Sequence, residues 1–387
     1  MPIVKKTITG KLRAFFLLPL LLMTFAAGCR SAASPPTPIR LERTVQVSAT
    51  RQPIRVDAAT PTPPSGTSPA GQRWLPDLQP LSAENCLLLT PLETLAAYTS
   101  AIAVSPDGKW LASGSLERKL YIWGLTDGNL VQSFALDDNP GHIWAVQFSH
   151  DGRLLAMGSG DSNVRIWQLP EGTLRYTLQA HTSDIRSLAF APDDRYLASG
   201  SNDQMIVVWD MADGTLVRML GWNPGYVRAV SYSPDGDWLA SAAGRGSLRF
   251  WDQRGVLMND ISIHEDDLTS LAFSPDGELL AVAARNRLVW LYQLPDFLRL
   301  TYVPAHEKES NSLVFSPDGQ LLVSGSEDQT FAIWRVDAGA PQPLEEIHRL
   351  VMPENYRVSA LQFSPDGRLL ISASTNGNII LWGVPIK

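Results

Sequence analysis

Short runs of alternating apolar and polar residues fill the chain from Leu87 onward, without the three-to-four-residue spacing of an amphipathic helix. Ile185-Arg186-Ser187-Leu188-Ala189-Phe190 is one such run, and Tyr196-Leu197-Ala198-Ser199-Gly200-Ser201 is the next. Met205-Ile206-Val207-Val208-Trp209 makes a third, and Thr215 to Leu220 a fourth. A period of two with turn residues between the runs predicts four short antiparallel strands.

The turn between the first two runs recurs. Ser-Pro-Asp-Gly begins at Ser105, Ser233, Ser274, Ser316 and Ser364, with variants at Ser149-His150-Asp151-Gly152 and Ala191-Pro192-Asp193-Asp194. Pro presets the first central φ of a type I turn, Asp suits the second, and Gly takes the left-handed position that follows. The seven starts lie 44, 42, 42, 41, 42 and 48 residues apart, and a Trp follows each: Trp123, Trp167, Trp209, Trp251, Trp290, Trp334 and Trp382. A four-strand unit at such a period predicts an all-β, seven-bladed β-propeller of four-stranded antiparallel blades. The segment after Trp382 is too short for an outer strand. Leu87–Leu95 precedes the first inner strand and is expected to supply it, closing the ring and covering its edge.

These residues resemble the WD-repeat family in all seven units. Trp209-Asp210 and Trp251-Asp252 keep the naming dipeptide, while the other five Trp are followed by Gly, Gln, Leu or Arg. Two blades carry a further set, His181, Ser199, Asp203 and Trp209 in one and His306, Ser324, Asp328 and Trp334 in the other. Ser, His and Asp are the residue types of nucleophilic catalysis. The resemblance implies instead a buried hydrogen-bonded network tying the inter-blade loop to the Trp strand, and duplication within one ring fits that brace better. Arg245, Ala284 and Asn376 stand at the Asp place of other blades, and Met157 at the Ser place.

The resemblance also implies that partners dock on the face where inner strands begin, around the central channel. Paired positions there read Ser100 and Tyr98, Trp144 and His142, Arg186 and Asp184, and Arg228 and Tyr226; then Thr269 and Asp267, Asn311 and Glu309, and Ser359 and Arg357. Trp, Tyr and Arg are enriched at binding hot spots. Trp144, Arg186, Arg228, Tyr226, Arg357, His142 and Tyr98 are therefore the partner-binding candidates. The alternative is that they only line a solvated channel mouth.

The N-terminus carries different signals. Lys5, Lys6, Lys11 and Arg13 precede an apolar run from Ala14 to Ala27, too short to span a bilayer as a helix. Ala26-Ala27-Gly28 and then Cys29 follow, which resembles a bacterial lipoprotein signal in which the Cys is acylated. An ordinary signal peptide with an incidental Cys, or an uncleaved anchor, is the alternative. Residues 29–80 are rich in Pro, Ser and Thr and read as a disordered tether, leaving 81–387 as the propeller. The other cysteine, Cys86, sits in an apolar stretch and reads as a small buried hydrophobe.

Charge narrows the partners. The net charge of −7 divides into +7 over residues 1–80 and −14 over 81–387, and so acidic a propeller would repel a nucleic-acid backbone. None of the six His has metal-ligand spacing, and no phosphate-loop motif is present, so neither metal nor cofactor is expected. The expected protein is an exported, lipid-anchored, monomeric and non-catalytic binding scaffold on the cell membrane or outer membrane of a bacterium. Its partner would be a protein, with acidic groups suited to the arginines. The competing expectation is a propeller-based hydrolase with its site at the channel mouth, where Asp184, Asp267 and Glu309 stand.

Overall fold

The computed structural model describes residues 75–95, 99–135, 141–263, 266–375 and 378–386. The signal segment, Cys29, nearly all of the 29–80 tether, Tyr98 and Asn376 lie outside the described residues. Among the described residues two 3-10 turns are the only helical elements.

Seven antiparallel sheets follow one another along the chain. The third is representative, with strands Ile185–Phe190, Tyr196–Ser201, Ile206–Asp210 and Leu216–Leu220 in spatial as well as sequence order. Each inner strand packs beside that of the next blade, and the seventh, Val358–Phe363, packs beside the first, Thr99–Val104. The molecule is a seven-bladed propeller.

Closure uses the N-terminal side, as its sequence suggests, with a shift in the element that does it. Thr90–Leu95 pairs with Ile379–Pro385 of the last blade, Thr90 opposite Gly383 and Leu95 opposite Ile379. Leu87 and Leu88, expected to open that strand, instead lie in a 3-10 turn, Cys86–Leu88, that sinks Cys86 into the core and leaves Leu87 and Leu88 exposed. Leu78–Gln79, N-terminal to the expected boundary at 81, also pairs with the end of that last strand.

The core is divided rather than central. Each apolar cluster lies between two neighbouring blades; one joins Val164, Ile166, Ile185, Leu188 and Trp209 of the second and third. Close approach between blades requires matched residues. Gly114, Gly158, Gly200 and Gly325 each face an Ile or Val that begins the next inner strand, and a Cβ on Gly200 would stand 2.7 Å from Val227 Cγ1. Where that strand begins instead with Leu268, Ser310 or Thr99, the equivalent position is Ala242, Ala283 or Ala373.

On the face opposite the inner-strand starts, Ser-Pro-Asp-Gly turns interlock around the ring. The Ser hydroxyl bonds the Asp carboxylate, as in Ser105 to Asp107 at 2.6 Å, and accepts the N–H of Trp110 at 2.9 Å. The last turn residue is left-handed throughout, including Asp194 at φ 56°. The two variant turns explain each other. His150 stands where Pro would have no N–H, and Asp194 stands where Gly would have no side chain. The Asp194 carboxylate accepts the backbone N–H groups of His150 and Asp151 at 2.7 and 2.8 Å, clasping the second blade to the third.

One register differs from expectation. In the fifth blade Tyr292, not Trp290, pairs with Leu280, the place that Trp209 takes opposite Leu197. Trp290 lies two residues earlier, opposite Val282, so Asn286 rather than Ala284 holds the Asp place of that blade. Asn286 acts accordingly, its side-chain oxygen accepting the N–H of Leu288 at 3.2 Å as Asp203 accepts that of Met205.

Candidate partner-binding site

The inner strands start on one face, and what stands second in each decides what that face can do. In four blades this residue is spent on the ring. Ser100 bonds the carbonyl of Ile143, Thr269 that of Ser310, Asn311 that of Val358, and Ser359 that of Thr99. In the three remaining, consecutive blades the residue is Trp144, Arg186 or Arg228, whose side chains make stacking and charge contacts instead.

The three side chains form a connected cluster. The Arg186 guanidinium lies 3.9 Å over the Trp144 ring, and His142 meets Trp144 edge-on at 5.5 Å. His142 is fixed by a 2.8 Å bond between its Nδ1 and the Leu116 carbonyl. Burial lowers the Arg186 pKa, and the neighbouring Arg228 charge lowers it further, to about 10. Arg228 stands 3.8 Å from Asp267, but its Nε is buried and has no hydrogen-bond partner among the described residues. Tyr226 is 51% exposed beside this cluster in sequence.

Beyond Arg228 the face neutralises itself. Arg285 pairs with Glu309 at 2.6 Å and with Asp267 at 3.6 Å, and Asp267 also accepts the Arg245 N–H at 3.2 Å. Arg357 lies in the seventh blade and pairs with Glu327 at 3.8 Å, three blades on from Arg228. The sequence reading did not single out Trp222, which is 80% exposed in the same inter-blade loop as Tyr226. Its place in that Gly- and Pro-flanked loop, Gly221-Trp222-Asn223-Pro224-Gly225, was the available signal.

The members of the two Ser, His and Asp sets stand together in their blades. His181 Nδ1 lies 2.9 Å from Asp203, its Nε2 lies 2.8 Å from Ser199 Oγ, and the Trp209 indole N–H donates to the same Oγ at 2.9 Å. His306, Ser324, Asp328 and Trp334 repeat this at 3.1, 2.8 and 2.9 Å. Ser199 and Ser324 are fully buried and already bonded to an indole, a poor arrangement for attack on a substrate. Asp203 and Asp328 also accept the N–H of Thr182 or Glu307, holding the inter-blade loop.

A further regularity explains which blades carry the set. Opposite the Ser stands Val207 or Ala332 in these two blades, small enough to leave room for an imidazole. The equivalent residue is Tyr121, Arg165, Arg249, Trp290 or Ile380 elsewhere. In the second blade Met157 replaces the Ser, the Trp167 N–H has no acceptor among the described residues, and buried Arg165 reaches Asp161 at 2.6 Å instead.

Burial would raise the Asp203 and Asp328 pKa values, but hydrogen bonds from the imidazoles and backbone outweigh it and hold both below the usual carboxylate range. A lowered folded-state pKa means that the stabilisation is present above the unfolded value of about 4 and is lost as pH falls toward the folded one. Asp203→Ala and Asp328→Ala are each expected to cost about 1–3 kcal/mol at neutral pH, and less below about pH 4. Ser199→Ala should be milder. Denaturant midpoints measured from pH 7 to pH 3 check this, and equal midpoints for wild type and variants at pH 7 would count against the brace.

The residue ranges 89–124, 128–168, 172–210, 214–252, 255–293, 298–335 and 345–383 match the model of the WD domain, G-beta repeat, one match per blade. The chain belongs to the WD40-repeat family. Similar proteins include the small ribosomal subunit protein RACK1y of Oryza sativa subsp. japonica, 36% identical over 72 residues, which is 19% of this chain and 21% of that protein. Protein HIR1 of Kluyveromyces lactis is 35% identical over 69 residues, 17% of this chain and 8% of its own. The WD40 chain thus spans under a quarter of either relative, a likeness on the scale of one or two blades.

Among the described residues no three His, Cys, Asp or Glu side chains are grouped to hold a metal. At the other end of the WD40 channel, a recess of about 530 Å³ is lined by inner-strand residues such as Phe190, Tyr232, Phe273 and Phe315, with no carboxylate among its walls.

Proposed function

We propose that this WD40 propeller is a non-catalytic protein-binding scaffold that docks its partner on the face where the inner strands of the second to fourth blades begin. The observation that carries the reading is Arg186, largely desolvated and stacked on Trp144, with the Asp184 charge near it but no ion pair within 4 Å among the described residues. Four equivalent positions latch the ring together, so the departure at three adjacent ones calls for another use. Trp and Arg in such a desolvated setting are the residue types that dominate binding energy. The carboxylates that a channel-mouth hydrolase would need have partners: Asp267 and Glu309 pair with Arg285, and Asp184 accepts the Asn202 side-chain amide at 3.5 Å.

Charge reversal at Arg186 and Arg228 is expected to abolish capture of the partner from an extract of the producing cells, since truncating one hot-spot residue costs at least ~2 kcal/mol of binding. The melting temperature should not fall. The same reversal at Arg153 and Arg368, beside turns of the opposite face, is the control. Loss of capture by the control pair alone would place the docking face on the wrong side.

The proposal extends to location. The basic residues, short apolar run and Ala-Ala-Gly-Cys of the N-terminus support export and acylation at Cys29 in a bacterial envelope, with the Pro-rich stretch as a tether. Cys29→Ala should then release the protein from membranes or leave an uncleaved precursor. Wild-type protein that fractionates as soluble without detergent would exclude the anchor.

A further inference from the structure

Stacking and hydrogen bonding use different parts of a guanidinium. The π face of Arg186 is covered by Trp144. Its five N–H groups lie in the plane, at the edge that stacking leaves open, and a planar fork of donors matches a carboxylate. Arg228 brings a second cation close enough to disfavour the Arg186 charge, more than the nearby Asp184 favours it, together with a buried Nε–H that nothing among the described residues accepts. Asp267, its acidic neighbour, is beyond hydrogen-bond distance at 3.8 Å and shared with Arg285. Two adjacent, partly desolvated guanidinia, one of them with an unmet buried donor, are costly to keep in an isolated protein.

We infer that Arg186 and Arg228 form a receptor for a single carboxylate, presented by an acidic side chain of a docking protein. This rests on the docking reading above and names the chemistry of its anchor. Local charge favours one negative charge over two. Arg186, Arg228 and Arg285 are already balanced in number by Asp184, Asp267 and Glu309, and the domain around them carries −14. A phosphate dianion would add a second charge to that field, whereas a carboxylate gains two parallel charge-assisted bonds for one. Trp144 lies against Arg186, and Tyr226, exposed two residues before Arg228, offers further aromatic surface for the partner's apolar contacts.

Titrating a fluorescein-labelled pentaglutamate peptide with the full chain, and reading anisotropy, tests this directly. Pentaglutamine is the parallel probe, both peptides being C-terminally amidated so that only their side chains differ, and sodium acetate and inorganic phosphate are competitors. Saturable binding of the glutamate peptide alone is expected, weakened about tenfold or more by Arg186→Gln and by Arg228→Gln. Arg186→Lys, which keeps the charge and loses the fork, should also weaken it by about tenfold. Equal binding of pentaglutamine, indifference to both Arg186 changes, or displacement by phosphate at lower concentration than acetate would each overturn the inference. If charge reversal abolishes partner capture and the glutamate peptide still fails to bind, the carboxylate receptor is wrong and the docking face stands. If the peptide binds through the arginines while capture survives their reversal, the docking reading fails instead.

Discussion

A chain that begins at Ala96 is expected to lose its cooperative melting transition and to aggregate. It lacks both segments that pair with Ile379–Pro385, so the last blade would present that strand as an open edge. It also lacks Leu78, Leu81, Leu89 and Leu95, each at most 6% exposed, and the fully buried Cys86. Burying one Leu contributes about 1.5–3 kcal/mol, so four approach the roughly 5–15 kcal/mol that holds a domain folded. A chain beginning at Leu75 keeps both pairings and should melt like the full protein. One beginning at Leu81 keeps Thr90–Leu95, drops Leu78, and should fall between them. Calorimetry of the three chains decides the matter, and identical transitions would mean that the ring does not depend on this closure.

Asp161→Ala should be the most damaging single substitution among the blade braces, at about 3–5 kcal/mol. Asp161 pairs with Arg165, whose side chain is 2% exposed, so its loss takes a counter-charge from a buried cation. Asp203→Ala, by contrast, strands an imidazole that can be neutral. Arg165 also donates to Ser159 at 3.2 Å, which tempers the cost without removing it. Burial raises the Asp161 pKa and the bonds from Arg165, Ser159 and Asn163 lower it further than that, so this stabilisation too is lost as pH falls below about 4. Replacing Arg165 by Met in the Asp161→Ala background removes the stranded charge and should recover part of the loss. Urea midpoints at unchanged slope read all three variants. A cost for Asp161→Ala no greater than that of Asp203→Ala would show that Arg165 is not acting as the brace of its blade.

The repeat was legible because its signals are local. A turn that needs Pro, Asp and a left-handed residue within four positions, and strands of period two on either side, are written by neighbours in sequence. The Ser, His, Asp and Trp set was legible for the same reason, being carried at constant offsets within one blade and its entry loop. Register within a blade was less secure. Trp290 marks the repeat by its type, yet two residues make no change of face in a strand, so only the pairing with Val282 shows that Tyr292 holds the Trp place.

The candidate site divides along the same line. Its residue types and their positions at inner-strand starts could be read from the repeat. Which of them act together could not, because neighbours on that face lie about forty residues apart in the chain and meet only through ring closure. The stacking of Arg186 on Trp144, the diversion of Asp267 to Arg285 and the separate pairing of Arg357 with Glu327 are contacts between blades. So are the Asp194 clasp and the fit of Gly200 to Val227. Sequence by itself determined the blade and the number of blades, since turn chemistry and hydrophobic periodicity within a blade span short distances along the chain. Only the tertiary structure decided which arginines were desolvated and which kept a buried donor unmet, because desolvation and the distance to a counter-charge are set by what the neighbouring blades place beside them.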